Sequence, residues 1–458
     1  MTKVSKIVVR IGGISIEWIL IAFILFAFFI RTSVVQTYLA QKATAYLSKE
    51  LKTTVKIGKV DITFFDEVVL EDVLLLDKNK DTLLKMQDLY LKLDRFDAKR
   101  NDIYLASSTL VNGTIHLTQD IKTGDYNYAF LEDYFSSAST SSESKPFKLF
   151  LAAINLENIR FRYDDYRYEY QKYGMDYNHL DISKIDLKAN GIKIVDGVIY
   201  GNIEHIKASE RCGFELNHFE GKANVSANGI VVDQVKIKTP KSLVFAPKVH
   251  MLYDEYADIL DFVDSVTFDS KLAKSRVSMQ DISYFADDLE GMDEMVTVSG
   301  IVTKKVANLK IQQLNLKFGK KSNIKGTINL PDFDNFSHSF LNQKIDYAYI
   351  DLADVEKINL PKFSANKHFQ LDEYLKRFKY IQTTDLHLDG YESQFVVAAD
   401  KIKTGLGSVY LDNGVMFTQN KANDSYLFER SQASEYDVKI EQFDLKQFLN
   451  DSDFAIST

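Results

Sequence analysis

From residue 308 to 331 the chain reads NLKIQQLNLKFGKKSNIKGTINLP. Leu314, Leu316 and Phe318 share one parity, Ile324, Ile328 and Leu330 repeat it, and Asn315, Lys317, Lys325, Thr327 and Asn329 fill the other. Successive side chains of a strand point to opposite faces, so the pattern predicts two strands, each with one dry and one wet side. The same period of two recurs through Leu89, Leu91 and Leu93, through Val111, Ile115 and Leu117, and through Ile159, Phe161 and Tyr163 against Arg160 and Arg162. Nearer the start, Val55 and Ile57 take one parity and Val60, Ile62 and Phe64 the other, which predicts a bulge across Gly58 and Lys59.

Two stretches depart from this period. Over residues 34–52, Val35, Leu39, Ala43, Tyr46, Leu47 and Leu51 recur at three- and four-residue spacings and predict an amphipathic helix that caps the first strand or lies at a membrane face. Ahead of it, Lys3, Lys6 and Arg10 precede a mainly apolar run at 11–31, about twenty residues and so enough to cross a bilayer. The reading is an uncleaved signal anchor, with 1–10 as a cytoplasmic tail and the bulk of the chain outside the cytoplasm. Trp18, Ile19, Leu20, Phe23, Leu25, Phe28 and Phe29 are its candidate membrane contacts, and Glu17 is read as reaching back to the interface beside Trp18 rather than as pairing with a partner helix.

Low complexity is confined to SSASTSSESKP at 136–146, read as a loop between a first β module at 54–135 and the rest of the sheet at 147–458. The aromatic and charged YDDYRYEYQKYGMDY at 163–177 is read as an edge strand with a hairpin tip rather than a base-stacking or sugar site. A weak recurrence links VSMQDISYFADDL, AYIDLADVEKINLP and IEQFDLKQFLND, in each of which a strand passes an Asp into a short helical segment. Internal repetition of this kind fits an open-ended stack.

Composition narrows the function. The 458 residues are 45% hydrophobic with 25 Tyr, 31 Phe and only 5 Pro, a β-leaning mixture with few strand interruptions. A net charge of -8 gives no basic footprint, so no nucleic-acid partner is expected. A single cysteine, Cys212, excludes an internal disulfide framework and a multi-cysteine zinc site. No phosphate-binding loop, nucleophile elbow or HExxH motif occurs, and TGLGS at 404–408 reads as a turn. Cys212 with His218 is too sparse for a metal site, and the acid pairs Asp164–Asp165 and Asp287–Asp288 read as solvated loop ends. No catalytic residue, metal or cofactor is therefore expected, and the chain is read as not an enzyme.

Parity sustained over many strands predicts a mainly β fold in which an N-terminal transmembrane helix is followed by an elongated, curled β-sheet trough of the repeating-groove type. About 25 strands at about 4.8 Å would extend about 120 Å. Its dry face would carry apolar cargo, with Val111, Ile115, Leu117, Ile159, Phe161, Leu314, Leu316, Phe318, Ile324 and Ile328 as candidate lipid contacts.

The anchor followed by YLAQKATAYLSKELKTTVKIGKVDITFFDEVVLEDVLLLDKNKDTLLKMQDLYLKLD, then LVNGTIHLTQDIKTGDYNYAFL, resembles the N-terminal region of AsmA-like proteins, most closely the TamB type of the Bacteroidota. FLAAINLENIRFRYDDY, ERCGFELNHFEGKANVSANGIVVDQVKIKTPKS and SKLAKSRVSMQDISYFADDLEGMDEMVTVSGIVTKKVANLKIQQLNLKFG extend the similarity across most of the chain. The resemblance implies an inner-membrane anchor, a periplasmic β-trough, and roles in phospholipid traffic to the outer membrane and in outer-membrane protein assembly. Because the chain stops at DSDFAIST, where the TamB type continues, it is expected to be truncated there, and contact with an outer-membrane barrel assembly protein would fall to that further region. Two functions follow. One is a phospholipid conduit between the membranes; the other is a scaffold that pairs its sheet edges with nascent strands.

Overall fold

Strands occupy the alternating stretches almost throughout, and the protein is mainly β. The computed structural model describes residues 29, 32–63, 66–97, 99–100, 102–137, 148–255, 258, 262–330, 340–362, 367–368, 371, 373–391, 393–420, 425–429 and 438–449. The predicted anchor, with Trp18, Ile19, Leu20, Phe23, Leu25 and Phe28, lies outside them; Phe29 is described and exposed. Among the described residues no helix is long and apolar enough to cross a membrane. The chain divides into two units, one holding residues up to 170 with 176–193 and 207–211, the other 171–175, 194–206 and the chain from 212 onward.

The first unit opens with α1 (Ser33–Leu51), which packs Leu39, Ala40, Ala43, Leu47 and Leu51 onto Val55, Ile57 and Val60. The amphipathic spacing is thus spent on capping the first strands, while Tyr46 stays exposed. Strands β1 (Val55–Lys56) and β2 (Lys59–Thr63) pair with successive halves of β3 (Glu67–Leu76), stepping at Gly58 where the parity switches. Next come β4 (Thr82–Asp97) and β5 (Asp102–Gln119), both antiparallel. Strands β6 (Lys148–Leu151) and β7 (Ile154–Asp165) join β5 in parallel, and β8 (His179–Val195) closes the series antiparallel to β7. A parallel neighbour requires the chain to return, which it does through the segment carrying α2 (Ala129–Ser137). The Ser-rich stretch, beyond its first two residues, lies outside the described residues. It does not separate units, because β5 and β7 on its two sides are paired.

The chain passes to the second unit within β8 and β9 (Val198–Glu210). From β10 (Glu215–Ser226) each strand is antiparallel to the next: β11 (Gly229–Lys238), β12 (Leu243–Leu252), β13 (Thr267–Ser278), β14 (Met295–Lys305), β15 (Lys310–Phe318), β16 (Ser322–Asn329), β17 (Leu341–Asp351), β18 (Tyr380–Tyr391), β19 (Gln394–Thr404) and β20 (Gly407–Asn420). Both β21 (Ser425–Glu429) and β22 (Val438–Glu441) pair with β20.

A row of bulges crosses each ladder. In the first unit Asp72, Asn112 and Asn158 have φ of 54°, 49° and 53°, a region that Asn and Asp enter most readily. Their positions face one another through Gln87: Asn112 Nδ2 donates to Gln87 Oε1 at 3.0 Å and Asn158 Nδ2 to Asn112 Oδ1 at 2.8 Å. In the second unit the row runs through Gln234 and Gln313, with φ of 57° and 52°, and through register shifts on most strands. Pro247, with no N–H to donate, stands in it opposite Gln234, where a bulge tolerates proline. Each extra residue resets the parity of its strand.

The recurrent Asp segments are clamps on neighbouring turns. After β13, helix α4 (Met279–Ser283), which follows the short α3 (Phe262–Ser265) in the chain, brings Asp281 Oδ2 to Thr239 Oγ1 at 2.6 Å and to Ser242 Oγ, at the β11–β12 turn. After β17, α5 (Leu352–Val355) brings Asp354 to the β15–β16 turn, where it accepts from the N–H groups of Lys320, Lys321 and Ser322 at 2.9, 2.8 and 3.1 Å. The third copy, α7 (Leu445–Leu449) beyond α6 (Glu373–Arg377), places Gln447 at the equivalent position and anchors Asp444 N on Leu406 O at 2.6 Å. Burial pulls the Asp354 carboxyl up, but the three N–H donors and Ser322 hold it below the usual carboxylate range. Asp354→Ala leaves those donors unanswered and is expected to destabilise the second unit by about 2–4 kcal/mol. An unchanged urea midpoint would show the clamp to be incidental.

Candidate functional site

Residues directly opposite in a ladder share a face, so the registers fix which side chains lie together. In the first unit Ile115 stands opposite Leu84 and Phe161, Leu117 opposite Tyr163, and Ile159 opposite Gly113 and Ile185. This face continues through Val73, Met86, Leu110 and Leu156. Gly113 is needed on it: a Cβ there would stand 2.1 Å from Met86 Sδ, so Met86 fills the space that glycine leaves.

Val111 does not belong to this face. It stands opposite Asp88 and Glu157, on the polar side, because the bulge at Asn112 separates it from Ile115 by an odd number of steps. In the second unit the predicted grouping holds. Leu314 faces Gly326, Leu316 faces Ile324 and Val298, and Ile328 faces Ile311, with Phe318 continuing the side of Leu316. Lys317, Lys325 and Thr327 take the other side, opposite Asn323, Asn315 and Lys344. Counting parity alone misses Ile311, which the bulge at Gln313 returns to the dry face. It also passes over Phe219, Ala223, Ile230, Val232, Val235 and Ile237, which form a further part of that face.

Burial separates these candidates. Ile159 is 1% and Leu314 5% exposed, so protein already covers them and they act as core. Ile115, Leu117, Phe161, Leu316, Phe318, Ile324 and Ile328 are half-buried and retain apolar surface. No described helix of the second unit exceeds five residues, too little to cover such a face.

The acid pair at 164–165 is not solvated. Asp164 is 3% exposed and accepts from His116 Nε2 at 2.8 Å, Tyr170 Oη at 2.9 Å, Arg162 Nη2 at 3.0 Å and His179 Nδ1 at 3.3 Å. Burial pushes its carboxyl up, yet the donors from His116, Tyr170 and His179 and the Arg162 charge leave it below the usual range. Asp165 takes a forked pair from Arg167 at 2.9 and 2.7 Å. The buried His179 also meets Tyr168 O at 2.9 Å and stacks under Tyr170 with ring centroids 3.9 Å apart. Through these bonds the group ties β5 to the β7–β8 connection and orders that connection. That connection is the predicted hairpin tip and displays Tyr166, Tyr168, Tyr170 and Tyr177, but β7 is an interior strand, paired on both sides.

The remaining candidates are dispersed. His218 meets His205 at 2.8 Å and Glu220 at 2.7 Å, Asp287 is an exposed acceptor for Gln171, and residues 404–408 turn between β19 and β20. Among the described residues no group of three or more His, Cys, Asp or Glu is placed to hold a metal. Compared with protein-family models and with curated proteins, the chain matches none. The resemblance to AsmA-like proteins therefore rests on the quoted residues.

Proposed function

We propose that this protein holds phospholipid on the apolar face of its sheet and conducts it between the inner and outer membranes, as an AsmA-like, TamB-type protein would. The observation that carries the reading is the constancy of the dry face. Strand after strand keeps Leu, Ile, Val and Phe on one side, even where a bulge forces the sequence to change parity to do so. A core alone needs well-covered residues, whereas Leu316, Phe318, Ile324 and Ile328 keep surface that an acyl chain would cover. Burying a sixteen-carbon tail is worth about 12 kcal/mol at about 0.8 kcal/mol per methylene, ample to draw lipid from water into a continuous face. In this proposal the apolar run at 11–31 anchors the protein in the inner membrane and the sheet lies in the periplasm.

The test is mass spectrometry of the purified protein after exchange into a lipid-free neutral detergent. Retained phospholipid, in an amount that scales with protein, is the expected result. Protein that emerges free of lipid and takes up none from added vesicles would remove the proposal.

A further inference from the structure

On the polar side of the second unit, at the β15–β16 turn, a cavity of about 690 Å³ is lined by Met295, Thr297, Lys317, Phe318, Gly319, Lys320, Lys321, Ser322, Asn323, Tyr347 and Tyr349. A smaller one of about 130 Å³ shares Thr297 and Lys317 with it and adds Lys274 and Asn315. The larger volume falls within the range of small-ligand sites. We propose that these joined cavities bind a phosphate ester of a small polyol, of the glycerol phosphate class, either free or as the headgroup of a lipid.

Charge comes first. Four lysines converge here, and only Lys321 has a carboxylate partner, Asp351 at 3.0 Å. Lys274, Lys317 and Lys320 pair with no acid among the described residues. The obvious local acid is committed elsewhere: Asp354 is occupied by the backbone of the turn, and it fixes the chain that carries Lys320 and Lys321. Uncompensated like charges repel one another, so an array held together by a clamped turn favours an anion with several oxygens.

Hydroxyl recognition is the second part. The Asn315 and Asn323 carbonyl oxygens are buried and accept from no protein donor among the described residues. Whichever way each amide is turned, one of its ends is a hydrogen-bonding group for a polyol hydroxyl. Tyr347 and Tyr349 add ring faces and phenol groups, and Tyr349 is held by stacking on Tyr380 at 5.4 Å. A bare anion would leave these amides and rings unused, whereas a polyol phosphate engages both sets. Apart from Phe318 and Val298, which belong to the dry face, the lining of the site lies across the sheet from Leu316 and Ile324.

The experiment is calorimetric titration of the full chain, in a neutral maltoside detergent, with sn-glycerol 3-phosphate. Saturable binding below about 1 mM is expected, weakening about tenfold or more in the double variant Lys317→Glu/Lys320→Glu at unchanged melting temperature. If the double reversal lowers that temperature, Lys317→Gln/Lys320→Gln carries the test by removing charge without adding any. Competition separates the sources: displacement by dihexanoyl phosphatidylglycerol but not by dihexanoyl phosphatidylcholine identifies a headgroup site, and displacement by neither lipid identifies a site for the free ester. Absence of saturable binding, or equal binding by the folded variants, overturns the proposal.

Discussion

Asp164→Ala is expected to destabilise the first unit by about 3–5 kcal/mol, the range for removing one partner from a buried charged network. The loss is large because one carboxylate answers four donors, His116, Arg162, Tyr170 and His179, and two of the elements it joins, β5 and β7, are neighbours in parallel. Asp164→Asn keeps one acceptor oxygen and is expected to lose less. Acid should act through the same group. The Asp164, Asp165 and Asp181 carboxyls are all held below the usual range in the fold, so their contribution is present above the unfolded carboxylate value. It is lost as pH falls through the lowered folded values, which places the decline below about pH 4. Hydrogen exchange over residues 154–190, measured at neutral and acid pH, reads both effects. Equal protection in wild type and Asp164→Ala at neutral pH would mean that the network contributes nothing.

That network was not legible in the sequence, for a physical reason. Adjacent acids before a Tyr- and Arg-rich stretch look like a solvated loop end, and the donor that most clearly marks Asp164 as buried, His116, comes from 48 residues earlier on another strand. The strands themselves were legible, since a half-buried strand needs only a local alternation. So were α1, the step at Gly58 and the Asp-bearing helices, each written in one short contiguous stretch. Faces were legible only up to the next bulge. Asn112 reads as one more polar residue, yet its φ of 49° inserts a step that sends Val111 to the side of Asp88 and Glu157. Gln313 does the opposite for Ile311, bringing an apparently misplaced residue onto the dry face. Alternation therefore establishes that a strand has two unlike faces, while the register across strands decides which half of each strand looks which way.

The dry face offers the sharpest functional contrast, because its two sides can be tested on adjacent strands. Leu316→Asp and Ile328→Asp each place a carboxylate among apolar partners, Leu316 beside Val298 and Ile324, Ile328 beside Ile311. A charge there loses hydration and gains no partner. Lys325→Glu and Thr327→Asp sit on the same two-strand ladder but on the polar side, where water or Lys344 receives the new charge. We expect the first two variants to lose about nine-tenths of the co-purifying phospholipid and to compromise the outer-membrane barrier in cells, and the second two to do neither. Because Leu316 and Ile328 are half-buried rather than sealed, their variants should remain folded, with protease resistance and cellular level near wild type. Leu314→Asp is the internal comparison: at 5% exposure it should fail to fold, showing what loss through the core looks like. Folded Leu316→Asp and Ile328→Asp proteins that keep both lipid and barrier function would end the conduit reading. The account would then pass to the strand edges, with the protein acting as a scaffold that pairs them with incoming outer-membrane strands.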